Sequence, residues 1–97
     1  MRIVILDKAE EDITVGMKFY ESQKEGLGKY FMDSIFSDIE SLYIYAEIHI
    51  VVSGFYRLLS KRFPFSIYYK VKRDIVYIYA VLDCRQNPIS MKKRLLK

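Results

Sequence analysis

The sequence predicts an α+β fold in the order β-α-α-β-β-β: an N-terminal strand, a helical hairpin, then an antiparallel sheet. Three observations carry this expectation. Two stretches of helical periodicity flank Gly26-Leu27-Gly28, a pair of breakers around one apolar residue. From Ile48 onward the apolar residues alternate instead, as they do on a strand. Lys72-Arg73-Asp74, a polar turn, divides the longest alternating stretch in two.

Each element has its own warrant. Ile3-Val4-Ile5-Leu6 is a short apolar run that reads as the first strand. Asp7 followed by Glu10 has the spacing of a capping box, so a helix is expected from Lys8 to about Lys24. Ala9, Ile13, Met17 and Tyr20 form its apolar stripe, and Thr14-Val15-Gly16 weakens its middle. A second helix is expected from Lys29 to about Tyr45. Phe31, Ile35, Ile39 and Leu42 form its stripe, widened by Tyr30, Phe36 and Tyr43. The tight glycine turn makes the two helices antiparallel neighbours.

The strands follow. Ile50-Val51-Val52 begins one that Gly54 is expected to bulge and that runs on to about Ser60. Phe65 to Lys72 alternates, with Phe65, Ile67, Tyr69 and Val71 on one face and Ser66, Tyr68, Lys70 and Lys72 on the other. Pro64 stands at its entry, where a missing N–H costs least. Ile75 to about Arg85 is the last strand. Val76, Ile78, Ala80, Leu82 and Cys84 form an aliphatic face expected to meet the helices. Tyr77, Tyr79, Val81, Asp83 and Arg85 form a polar face expected to stay open. Asn87-Pro88 stops the strand, and Ser90 to Lys97 reads as a solvated basic tail.

At 97 residues the chain has room for one core, so residues 1–97 are expected to form one domain. Hydrophobic residues at 52% exclude a disordered polar chain. The aromatic share comes from nine Tyr and six Phe, which lets a small chain bury enough surface to fold. No apolar run approaches the ~20 residues of a membrane span, and the start lacks a signal-peptide pattern. The single cysteine, Cys84, has no partner for an internal disulfide, so a cytoplasmic location is expected. With one His and one Cys, no metal and no cofactor are expected.

The net charge of +4 is unevenly spread. Residues 1–53 hold five Lys/Arg against ten Asp/Glu, whereas residues 54–97 hold eleven against two. The second half therefore projects a positive field suited to phosphates or an acidic protein segment.

The stretch Gly54-Phe55-Tyr56-Arg57-Leu58-Leu59-Ser60-Lys61-Arg62-Phe63-Pro64-Phe65-Ser66-Ile67-Tyr68-Tyr69 resembles the R-F-P-x-x-I signature region of RelE/ParE-superfamily toxins. Ala80-Val81-Leu82-Asp83-Cys84-Arg85-Gln86-Asn87-Pro88 is similar to their last-strand motif, and Phe19-Tyr20-Glu21 with Gly26-Leu27-Gly28 to their helical hairpin. The resemblance covers nearly the whole chain in order. It implies a RelE/ParE-like fold and the toxin role of a type II toxin–antitoxin pair, as in plasmid stabilisation proteins. The expected partner is an acidic cognate antitoxin, with no membrane; a homodimer stays open.

Family members divide by target, so ribosome and mRNA, DNA gyrase, or no toxicity at all remain alternatives. If this chain is a ribosome-dependent mRNA endonuclease, cleavage by the ribose 2′-hydroxyl needs cations at the phosphate and a proton acceptor and donor. The resemblance assigns the catalytic cations to Arg85, Arg57 and Lys61. Arg62, Tyr77, Tyr79, Lys92 and Lys93 are the candidates for nucleic-acid contact, the tyrosines by stacking on bases. The chain departs from the motif in having Asp83 in place of His, Gln86 in place of a second Arg, and Met91 in place of an aromatic residue. Met91 has no transferable proton and an ionised Asp83 cannot donate one, so weak ribonuclease activity is expected.

Overall fold

A computed structural model describes residues 1–96. The first strand, β1 (Arg2–Ile5), lies at one edge of the sheet and pairs with the last strand rather than with its nearest neighbour in sequence. It runs parallel to β5 (Ile75–Asp83), with Ile3 opposite Val76 and Ile5 opposite Ile78. β4 (Phe65–Lys72) lies antiparallel on the other side of β5, followed by β3 (Phe55–Leu59) and the short edge strand β2 (Val51–Val52). The sheet order is β1-β5-β4-β3-β2. The expected β-α-α-β-β-β order is present, with further elements the alternation did not reveal.

The helical hairpin covers one face. It consists of α1 (Asp7–Gln23) and α2 (Leu27–Glu40). The expected capping box is absent: Leu6 precedes the helix in extended conformation, and Asp7 already lies in its first turn. There Asp7 and Glu10 act on the positive end of the helix dipole instead. Glu21 organises the turn between the helices. Its carboxylate accepts the N–H of Gly26 at 3.1 Å and of Gly28 at 2.9 Å, tying the end of α1 to the start of α2. Gly16, which weakens α1 as an isolated helix, lets the pair approach: a Cβ there would sit 2.6 Å from the Phe31 ring.

Two boundaries differ from the sequence reading. α2 stops at Glu40, where the Ser41 hydroxyl donates to the Asp38 carbonyl at 2.6 Å, and Leu42–Tyr45 continues as a separate turn, α3. The expected bulged strand around Gly54 is a hairpin. Ser53 (φ 52°) and Gly54 (φ 84°) both take the left-handed backbone of a two-residue turn, and Val52 pairs with Phe55 across it.

The bulge lies elsewhere, on β5. Tyr68 pairs with Ala80 but Tyr69 pairs with Ile78, so Tyr79 is the extra residue. From there the faces of β5 exchange. Val76 and Ile78 meet the helices as expected, together with Phe31, Ile35, Ile39, Ile67 and Tyr69. Beyond Tyr79 it is Val81 that joins this core, while Ala80 and Leu82 turn to the other side. Cys84, expected in the core, is exposed, and its sulfur lies 2.9 Å from the Ser66 hydroxyl. A period-two reading carried through an unseen bulge inverts every assignment after it.

The second face is not open along its whole length, because the expected tail is a helix, α4 (Pro88–Leu95). Asn87 accepts the Ile89 N–H at 2.8 Å, Pro88 occupies the first turn, and Lys92, Lys93 and Arg94 lie in the last. Leu95 is buried with Phe55, Tyr68, Ala80 and Leu82, and Met91 packs beside them. Arg94 reaches around the end of the sheet to Asp12 on α1, with contacts of 2.8 and 2.9 Å. No helix among the described residues is long and apolar enough to cross a membrane.

Candidate functional site

The bulge decides where the cations point. Asp83 pairs with Phe65, whose ring lies 6.2 Å from that of Tyr20, so the end of β5 faces the helical hairpin. Arg85 follows it there. The Arg85 Nε donates to Asp83 Oδ1 at 2.9 Å, Nη2 donates to Oδ2 at 2.7 Å, and Nη2 also reaches the Tyr20 hydroxyl at 3.3 Å. The Arg85 backbone N–H adds a third donor to the same carboxylate at 2.8 Å. Hydrogen bonds from Arg85 hold the Asp83 carboxyl below its ordinary range, and Asp83 in turn raises the Arg85 guanidinium further above an already high value. Asp83 is therefore an acceptor with its oxygens occupied.

Arg57 lies on the opposite side of the sheet. It pairs with Tyr68, which is buried under α4, so Arg57 and Arg85 point away from each other across the sheet. The expected open-face placement of Arg85 is thus corrected: the bulge at Tyr79 turns the last residues over. The Arg57 Nε is buried and has no hydrogen-bond partner among the described residues. A buried guanidinium N–H without an acceptor is costly.

The other sequence candidates spread over the same second face and its rim. Tyr77 stands opposite Lys70, and the Tyr79 ring meets Phe55 edge-on with centroids 5.0 Å apart. The Lys70 ammonium lies 4.5 Å from the Phe55 ring centre and 5.5 Å from that of Tyr79. Tyr79 is therefore engaged within the fold, while Tyr77 is half-buried beside a lysine. Lys61 and Arg62 are exposed in the β3–β4 connection, and Lys92 and Lys93 are exposed on α4. Met91 is packed between α4 and the sheet. The structure gathers Arg57, Lys70 and Tyr77 on one face and sets Arg85 apart with Tyr20 and Asp83.

Three participants escaped the sequence reading. Asp12 carries Arg94 and also accepts the Val81 N–H at 3.0 Å, a contact spanning most of the chain that no local pattern signals. His49 places Nδ1 against the hydroxyl of the buried Tyr69, which also accepts the Glu47 N–H at 3.0 Å. Burial lowers the His49 pKa and raises that of Tyr69. The signal for α4 was present in Asn87-Pro88, which caps a helix as readily as it ends a strand. No group of three His, Cys, Asp or Glu able to hold a metal occurs among the described residues.

No family model matches the chain. No curated protein matches it either. Among solved structures, it is similar to a chain of the chromosomal ParDE TA system from P. aeruginosa, with a TM-score of 0.72 and 22% identity. The likeness covers 84% of this chain and 92% of that one. A strand, a helical hairpin and an antiparallel run of strands recur in both at that coverage, so the fold of this chain is that of a ParDE-system chain.

Proposed function

We propose that this chain is the toxin of a type II toxin–antitoxin pair, of the RelE/ParE superfamily, acting in the cytoplasm and neutralised by an acidic cognate antitoxin. The observation that carries this reading is the fold shared with a ParDE-system chain over most of both lengths. One feature supports the nature of the partner: residues 54–97 hold eleven basic residues against two acidic ones, a field that a carboxylate-bearing segment answers.

Ribonuclease activity is expected to be weak or absent. Transfer of a phosphodiester needs cations converging on one phosphate, with an acid and a base in reach. Here Arg85 is bound to Asp83 on the helical side while Arg57 faces the other way, and Met91 offers no proton. Inhibition of DNA gyrase, or antitoxin binding without toxicity, is therefore favoured over transcript cleavage. Lys61, Arg62, Tyr77, Lys92 and Lys93 are proposed as contacts to the macromolecular target rather than as chemistry.

The test is expression in a bacterial host, alone and together with the protein encoded in the adjacent reading frame. Growth arrest alone, relieved by that partner, is expected for a toxin. Arrest with broken DNA and intact transcripts would identify gyrase as the target. Normal growth in the absence of the partner, with no complex formed in its presence, would refute the toxin reading.

A further inference from the structure

Residues 30–56 contain no Lys or Arg, although the chain carries a net charge of +4. Inside that stretch lie α3, the connection after it, and the edge strand β2. Tyr43, Ile44, Tyr45, Ile48, Ile50 and Val51 are each more than half exposed there. At about 150–250 Å² for a fully exposed side chain of this size, they leave on the order of 700 Å² in water. The largest apolar patch of an ordinary monomer is about 300–600 Å², and each partner in a standard interface gives about 800 Å². Val51 lies opposite Tyr56, which packs against the helical-side core, whereas Ile50 adjoins Arg57 on the other face. The apolar surface therefore wraps the edge of the sheet.

This surface is held in place by the fold. Ala46 packs against the helical-side core, and its N–H donates to the Leu42 carbonyl at 3.2 Å. The Tyr69 hydroxyl accepts the Glu47 N–H at 3.0 Å and meets His49 Nδ1, which fixes the connection that carries Ile48. A surface ordered in advance loses little entropy on association.

The backbone of β2 selects the occupant. The Arg57 N–H donates to the Ile50 carbonyl at 2.9 Å, which makes Ile50 and Arg57 a hydrogen-bonded pair. Val51 and Tyr56, next along, are then the pair whose N–H and C=O groups point away from each other. Those of Tyr56 face β4. Those of Val51 face outward, and no strand lies beyond β2 among the described residues. Ile48-His49-Ile50-Val51-Val52 also lacks the Lys or Pro that blunts an exposed edge. On an antiparallel edge, such a residue is satisfied by its own counterpart across a two-fold axis, each donating to and accepting from the other.

We infer that β2 and α3 form a homodimer interface, in which Val51 exchanges both backbone hydrogen bonds with its counterpart in a second copy. The two sheets then join edge to edge, and the apolar residues on either side of β2 are covered together. The charges permit this. Glu47 stands four residues from Val51, so its two copies lie at opposite ends of the pairing, farther apart than the ~8 Å over which surface charges act. An acidic segment, by contrast, finds no Lys or Arg in residues 30–56 to receive its carboxylates. The inference goes beyond the toxin reading and does not depend on it.

Sedimentation equilibrium of the full chain over a range of concentrations reads the association. A monomer–dimer equilibrium is expected, with a dissociation constant in the micromolar range. Val51→Pro should weaken it about ten-fold or more, because proline deletes the outward N–H, breaks no bond within the chain and suits an edge strand. Ile48→Lys, at an exposed position, should weaken it to a similar extent by setting a cation in the apolar surface. Val15→Lys, exposed on α1, which packs on β5 away from β2, should leave it unchanged. Hydrogen exchange at the Val51 amide of the parent chain should slow as concentration rises, a readout that needs no variant. A monomer at every concentration, growth beyond the dimer, equal association by Ile48→Lys, or a Val51 amide indifferent to concentration would each overturn the inference.

Discussion

The bulge at Tyr79 carries Ala80 and Leu82 into the α4-side core and Val81 into the helical-side core, and three double-mutant cycles measure this directly. Ile35 and Ile78 are both fully buried in the helical-side core, whereas Leu82 and Leu95 are buried together on the α4 side. Truncation to Ala of a fully buried Ile or Leu removes its transfer energy and leaves a cavity, which costs about 2–5 kcal/mol. In a domain of this size each kcal/mol lowers Tm by about 4–8 °C, so Ile78→Ala should cost about 10 °C or more. The cycles then ask which residues share a cavity. Ile35→Ala with Ile78→Ala should deviate from additivity by about 0.5–3 kcal/mol, and so should Leu82→Ala with Leu95→Ala. Ile35→Ala with Leu82→Ala should add within about 0.5 kcal/mol, because the sheet stands between them. Urea denaturation of the four single variants, the three double variants and the parent provides the values. Strong coupling between Ile35 and Leu82, with none between Leu82 and Leu95, would mean that β5 is unbulged and that the faces alternate without interruption.

Three further outcomes follow from particular contacts. Asp12→Ala should destabilise the fold by more than Arg94→Ala, since Asp12 serves both the Arg94 guanidinium and the Val81 N–H, and an orphaned buried N–H costs about 1–3 kcal/mol; equal losses in thermal unfolding would remove the backbone contact from the account. The folded-state pKa of His49 lies below its unfolded value of 6.5, so its contribution is complete above that pH and is lost as the pH falls toward the folded pKa; His49→Gln should flatten the stability profile across that window, and an unchanged slope would place the pH dependence elsewhere. Met91→Tyr should leave transcripts uncut on translating ribosomes, because the added hydroxyl does not reunite Arg57 with Arg85; primer extension showing new cleavage ends would mean that the two cations act together after all.

What the sequence disclosed and what it hid divide along a physical line. β4 is expected at Phe65 to Lys72 and found at those residues, because an alternating run bounded by Pro64 and a polar turn leaves little freedom. α1 and the start of α2 are legible from their stripes and from the glycines between them, although the reason for Gly16 appears only when Phe31 is packed against it. The bulge was not legible. Tyr77-Ile78-Tyr79 has the composition of a regular strand, and only the register against β4 makes Tyr79 supernumerary. That one residue carried Arg85, Asp83 and Cys84 to unexpected positions. α4 was hidden by a shared signal, since Asn-Pro ends one element and opens another, and by a basic composition that resembles a loose tail. The residues of the candidate sites were largely named in advance, but their grouping depends on contacts between distant segments, such as Asp12 with Arg94, that no window of sequence contains.

Binding of the purified chain to the protein encoded in the adjacent reading frame, measured by calorimetry at low and at high salt, tests the central claim most directly. The toxin reading expects a tight complex whose affinity falls as salt rises, because a basic half-chain and an acidic segment attract each other through screened charges. Loss of the complex in Arg57→Ala, with the fold retained, would place the second face of the sheet in the interface. No complex at any salt concentration would contradict the toxin reading, and an affinity indifferent to salt would contradict the charge-based account of the partner.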